Sequence, residues 1–223
     1  TTILVKDVGK ITVSARGARR TKGILSSGTS IFTYGDFSIQ TGKKHHFLTQ
    51  TDVIDSFYTL TDDLVVLSYA SCLLELADKT TSEGISVNET LFLIINMLKR
   101  LALRRLDPKL ALPVYELKLL QYSGFTPQLN ACTACGKAHS NIMSTYGTLC
   151  TECAKAEAQL LPVNETLLYT MQYILANEPP KLLDFTIKSK FITPLADITS
   201  AMVDAHFGIT LKSKKFINSL NLY

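Results

Sequence analysis

What this chain lacks narrows what it can be. No apolar run approaches the eighteen or more residues that a membrane-spanning helix needs. The most apolar stretch, 91–98, gives way at once to Lys99, Arg100, Arg104 and Arg105, so a transmembrane protein is excluded. No charged segment followed by an apolar run and a small-residue cleavage site opens the sequence, and nothing in it argues for export. The G-x-x-x-x-G-K-[ST] loop that cradles nucleotide phosphates is missing, which removes support for nucleotide hydrolysis. A two-metal nuclease wants clustered carboxylates, yet the acidic residues mostly mark helix starts, as at Asp52, Asp62 and Glu89. The close pair Asp62-Asp63 is explained by capping and the helix dipole. Tryptophan is absent. What remains is a chain of 223 residues, 46% of them hydrophobic, enough for one large domain or two to three small ones.

The sharpest chemical signal is a set of four cysteines. Cys132, Cys135, Cys150 and Cys153 form two C-x2-C pairs separated by a fourteen-residue spacer. Two such pairs can deliver four thiolates to one tetrahedral Zn2+. Gly136 follows the first pair and Gly147 precedes the second, and glycine permits the tight turns that let backbone amides approach the sulfurs. Two disulfides or four free thiols are the rival readings, and disulfides persist in oxidising compartments. A closed shell of four thiolates leaves no position for water or substrate, so the expected metal is structural, one ion per chain. His139, inside the spacer, is a weaker choice as ligand or base. The fifth cysteine, Cys72, lies in an apolar helical stretch and reads as core.

Charge is distributed unevenly. The net charge is only +4, but residues 1–50 carry +6, residues 51–131 carry −3 and the remainder +1. A basic front on a near-neutral body suits a polyanion binder, because Lys and Arg release condensed counterions on meeting phosphates. The same segment reads as strands: 3–5, 10–15, 29–34 and a hairpin of 37–40 with 47–48 around Thr41-Gly42-Lys43-Lys44, punctuated by Gly9, Gly17, Gly28 and Gly35. Such a count fits a small OB-like barrel, with Phe32, Tyr34, Phe37 and Phe47 as core or as stacking platforms. The chain opens on Thr1 directly into a strand, so an opening strand or two is expected to be absent and the barrel incomplete.

From Gln50 onward the period becomes helical. Asp52 and Asp62 are expected N-caps for a helix through Leu64–Leu76, Asn88 for one running toward Asp107-Pro108, and a third spans about 109–123 before Gly124. Two more are expected over 164–177 and 192–207. The fold class that follows is α+β and multidomain: an OB-like barrel in 1–50, a helical domain in 51–131 and 154–223, and a zinc-binding insert at 132–153.

These residues resemble the bacterial recombination mediator family RecO. The resemblance is carried by Val8-Gly9-Lys10-Ile11 leading to Ala15-Arg16-Gly17-Ala18-Arg19-Arg20, by 120–129 directly before Cys132, by the four-cysteine motif and by Leu211-Lys212-Ser213-Lys214-Lys215-Phe216. It implies an OB fold, a helical domain, a zinc-finger-like insert and a role in DNA repair. Such proteins bind single- and double-stranded DNA, anneal complementary strands and, with RecR, help load the recombinase onto DNA coated by single-strand-binding protein, whose acidic C-terminal tail they engage. They are not enzymes, and they work in the cytoplasm at the nucleoid. Some relatives lack the cysteines, which again favours a structural metal.

For DNA contact the charge pattern points to Lys10, Arg16, Arg19, Arg20 and Lys22, five cations within thirteen residues that can line one groove edge. Lys43 and Lys44 come next, then Lys212, Lys214 and Lys215. Arg100, Arg104 and Arg105 could grip an acidic tail. A pure docking scaffold and, more remotely, a zinc-dependent hydrolase are the alternatives.

Overall fold

The computed structural model describes residues 1–18, 25–42, 45–138, 142–161 and 163–219. The chain forms two compact units, Thr1–Arg105 and the residues from Leu106 onward.

The first unit begins as a four-stranded sheet: β1 (Thr2–Val5), β2 (Gly9–Ser14), β3 (Tyr34–Thr41) and β4 (His46–Asp55), in the order β1-β2-β4-β3. β1 and β2 form a hairpin, β2 runs parallel to β4, and β3 and β4 are antiparallel with two register shifts. Alternating residues put Val13 and Leu48 inward with Leu25, against Ile3, Ile11, Phe37 and Ile39. This is the OB-like module in its strand-rich form, and among the described residues β1 and β3 are open edges, not a closed barrel.

Two expectations fail here. The segment 29–34 contributes only Tyr34 to a strand. Leu25–Ile31 is a run of turns closed by Thr29 and Ser30 bonding back to the carbonyls of Leu25, Ser26 and Ser27, and Phe32 takes a positive φ of 65° with its ring buried. Hydroxyl-to-backbone bonds competed successfully with a ladder. β4 also runs to Asp55, past the expected helical onset. Asp52 therefore lies in a strand opposite Asp36 and caps nothing.

A 3-10 turn, Tyr58–Asp62, leads into α1 (Leu64–Thr80). Its cap is Asp63, not Asp62: the Asp63 carboxylate accepts from the amides of Val65 and Val66 at 2.8 and 3.1 Å, satisfying two orphan donors. α2 (Asn88–Ala102) packs on α1 and ends where Arg104 turns left-handed at φ 55°, its neighbour Arg105 donating back to the Arg100 carbonyl at 2.8 Å. Asn88 is the first helical residue, and its side chain is occupied by Asp7, each bonding the other.

In the second unit α3 (Pro108–Tyr122) is the central element. Asp107 caps it and Pro108 occupies the first turn, where its missing amide costs nothing. Every residue from Leu110 to Leu120 is buried, as expected of a helix with no polar stripe. α5 (Glu165–Ala176), capped by Asn164, and α6 (Ile192–Phe207), ended by Gly208, pack on it. Two charges inside α3 are fully enclosed. Lys118 Nζ meets Glu178 at 2.6 Å and Gln121 at 2.8 Å. Glu116, 1% exposed, accepts from Thr199 Oγ1 at 2.5 Å and faces Lys214 of α7 (Lys212–Ser219) at 3.8 Å. Burial pushes the Glu116 carboxyl up to about 7, with Lys214 and Thr199 pulling the other way. Between α3 and α5 sits the cysteine lobe: β5 (Ile142–Ser144), β6 (Gly147–Leu149) and the single turn α4 (Thr151–Ala154).

Among the described residues no helix is long and apolar enough to cross a membrane.

Candidate functional site

The lobe brings the sulfurs of Cys132, Cys135, Cys150 and Cys153 together. Its first knuckle folds because Gly136, at φ 75°, lets its amide return to the Cys132 carbonyl at 2.8 Å while the Cys132 amide bonds Lys137. The second pair is positioned by the β5–β6 hairpin. Gly147 there has φ 135°, and a Cβ on it would meet the Gln128 carbonyl oxygen at 2.3 Å, so only glycine allows the approach. Cys150 then stands at the start of α4, and Cys153 one turn on. All four Sγ atoms lie within 4.8 Å of one another, with Cys135 and Cys150 3.8 Å apart. A tetrahedral ion with metal–sulfur bonds of about 2.3 Å needs sulfurs about 3.8 Å apart. The set therefore fits a metal ion. None of the five cysteines is in a disulfide, and Cys72 is core, as its setting predicts.

Electrostatics points the same way. The amide of Cys150, followed by those of Cys135 and Ala134, holds the Cys132 thiol down to about 6, and the Cys153 amide lowers Cys150. The last thiol resists: the sulfurs of Cys150, Cys135 and Cys132 push Cys153 up to about 12. Amides can stabilise the first thiolates, but only a cation supplies the charge that lets all four ionise. The lobe is tied down from two sides. Gln172 of α5 donates to the Leu129 carbonyl and to Asn130. His206 of α6 stacks on Phe125 with ring centres 4.7 Å apart and takes the edge of Tyr146, from the hairpin tip, at 5.2 Å. Sequence reasoning missed this ring cluster, since its members come from three distant segments.

The expected DNA-contacting cations fall into three groups. Arg19, Arg20, Lys22, Lys43 and Lys44 lie outside the described residues, as does His139. Arg16, in the turn after β2, is exposed, and its guanidinium sits 4.8 Å above the centre of the Phe47 ring on β4, a pairing of cation and aromatic face. Lys10 is turned toward the end of α1, bonding the Asp78 carbonyl at 2.5 Å and its carboxylate at 3.4 Å. Lys214 likewise faces inward to Glu116 and Ser200, whereas Lys212 and Lys215 are exposed. Of the aromatics, Phe32 is buried and Phe37 packs in the sheet core, leaving Tyr34 and Phe47 nearest the surface.

Arg100, Arg104 and Arg105 cluster at the α2 terminus. Arg104 pairs with Asp63 at 3.2 Å, so the α1 cap carries a second partner on its other oxygen. The signal missed in the sequence was the pair of charges, Glu116 and Lys118, in the otherwise apolar run 110–120 of α3.

Comparison with known proteins agrees with this geometry. Residues 1–57 match the family model described as recombination protein O N terminal, and 61–215 that described as recombination protein O C terminal. A protein of Alkaliphilus metalliredigens named DNA repair protein RecO is 34% identical over 180 residues, covering 79% of this chain and 73% of its own. Proteins of the same name from Bacillus pumilus and Thermoanaerobacter sp. are 30% and 29% identical, covering 98% of this chain in each case and 86% and 90% of their own. With the N-terminal and C-terminal family models matched in that order across most of its length, the chain belongs to the RecO family of DNA repair and recombination proteins.

Proposed function

We propose that this chain is a DNA-binding recombination mediator that binds single- and double-stranded DNA, anneals complementary strands and helps load a recombinase onto DNA coated by single-strand-binding protein. The family match across both units carries the reading. The basic front of the chain supports it: Arg16 over Phe47 offers a phosphate contact beside an aromatic face, the combination that single strands favour. Arg19, Arg20, Lys22, Lys43 and Lys44 extend that charge, and Lys212 and Lys215 add a second basic surface. Lys10 and Lys214, engaged with Asp78 and with Glu116, serve by setting the local structure.

The ion that the four thiolates suit is Zn2+, one per chain. It completes a closed shell and supplies charge and cross-linking, with no open coordination position for chemistry. Cys132, Cys135, Cys150 and Cys153 hold it, and the chain works without making or breaking bonds. RecR and the acidic C-terminal tail of single-strand-binding protein are the protein partners, with Arg100 and Arg105 beside Arg104 as the basic surface for that tail. Its place is the cytoplasm, at the nucleoid.

Fluorescence anisotropy of a labelled single-stranded oligonucleotide across a salt series tests this. Binding whose affinity falls steeply with salt supports the reading, the slope reporting about 0.7 per phosphate neutralised. No binding at low salt with metal present removes it and leaves a protein-docking scaffold.

A further inference from the structure

The C-terminal helix α7 has two faces of different chemistry. Inward, Leu211 and Ile217 are buried, and Lys214 reaches Ser200 of α6 and the enclosed carboxylate of Glu116. Outward lie Lys212, Lys215, Phe216 and Ser219, all exposed. Their spacing of i, i+3, i+4 and i+7 puts them on one stripe of the helix. The helix Lys212–Ser219 contains no acidic residue. Phe216 is 47% exposed, an unusual place for a phenyl ring on a helix that already anchors itself with Ile217.

A lysine used for structure faces in, and two lysines and a phenyl ring face out together. We propose that the outward face of α7 is a contact surface for single-stranded nucleic acid, with Lys212 and Lys215 on phosphates and the Phe216 ring as a platform for one unpaired base. This rests on the reading that the chain binds DNA and adds a site in the second unit to the basic front of the first. Charge complementarity selects a polyanion, because the stripe carries two lysines and the helix contributes no acidic residue. The ring selects unpaired bases, because stacking on an aromatic face needs a base face free of its duplex neighbours. Lys214 is the positioning residue: by pinning α7 to α3 and α6 it fixes which side of the helix meets solvent.

The test uses the full chain, a single-stranded oligonucleotide carrying 2-aminopurine, and a blunt duplex of the same length. Phe216→Ala weakens single-strand binding about tenfold, the worth of one stacked base, changes duplex binding little, and abolishes quenching of 2-aminopurine. Phe216→Tyr restores both. Lys212→Ala with Lys215→Ala lowers the single-strand salt slope by about 1.4, roughly 0.7 per contact. Unchanged thermal unfolding of these exposed variants shows that the fold is intact. Wild-type affinity, slope and quenching in all variants would overturn the proposal while leaving the proposed function standing. Weakened binding of a polyglutamate peptide with DNA binding unchanged would also overturn it, assigning the face to an acidic protein. A wild-type chain that binds no single strand fails the proposed function, and this site with it.

Discussion

The cysteine lobe and the N-terminal sheet are both expected to hold something charged, and they specify it in opposite ways. In the lobe, four atoms of one kind converge within 4.8 Å, and the backbone around them, from the Gly136 turn to the Gly147 approach, is shaped to that end. In the sheet, charge is spread along strands and turns, and neighbours decide what each cation does: Arg16 lies on an aromatic ring, while Lys10 is drawn to the end of α1. A metal demands ligand type, number and distance at once. A phosphate backbone demands only reachable positive charge. Residue identity is therefore strong evidence in the first region and weak evidence in the second.

The largest effect should come from breaking the lobe. Cys132→Ser with Cys150→Ser is expected to abolish retention of the one ion per chain expected in the parent, read by metal analysis, and to open 128–161 to limited proteolysis. Structural zinc contributes about 10–16 kcal/mol of apparent binding energy in zinc-finger peptides. The small local core of Leu149, Ala154 and Ile142 cannot replace that. A metal-free lobe that stays protease-resistant would show that the hairpin folds unaided, erasing the contrast.

Next in size is the enclosed carboxyl of Glu116. Its folded value, about 7, lies above the ordinary 4.5, so its contribution is fully present below about pH 4.5 and is lost as pH rises through 7. The difference is up to about 3 kcal/mol. Urea unfolding between pH 5 and 8 should show this decline on top of the other titrations, and Glu116→Gln should flatten it. An identical slope in the variant would mean that Lys214 already compensates the charge.

Asp63→Ala should cost about 1–2 kcal/mol of stability by removing the α1 cap. Asp63→Asn keeps a capping oxygen and loses only the exposed pair with Arg104, so it should cost under about 1 kcal/mol. Equal losses in urea melts would show that the pair, not the cap, is what matters.

The smallest effect sharpens the comparison most directly. Arg16→Ala should lower the salt slope of single-strand binding by about 0.7, whereas Lys10→Ala should leave it unchanged, because Lys10 is committed to Asp78. Equal slopes for the two would mean that both charges reach the strand. Arg19→Ala with Arg20→Ala, outside the described residues, is expected to lower it by about one to two units.

Much of the fold is legible where a local cause fixes it. The ends of α5 and α6 follow from the Asn164 cap and from Gly208 at φ 60°, and the β3–β4 hairpin follows from alternation around Gly42. The errors lie where alternatives are close in energy. Serine and threonine hydroxyls turned 29–33 away from the sheet, and Asp62 and Asp63 are interchangeable caps until the chain direction selects one.

By itself the sequence determined the elements with one-dimensional causes: periodicity, capping residues, the shortness of its apolar runs and four thiols whose spacing suits a shared ion. Only tertiary structure decided the fate of individual charges. Glu116 and Lys118 are enclosed because α3 is surrounded, and Lys10, Arg104 and Lys214 are each paired with a residue 41 or more positions away. A side chain's charge is written in the chain, but its partner is chosen by packing. The free energy of a charge depends on what surrounds it, not on what precedes it.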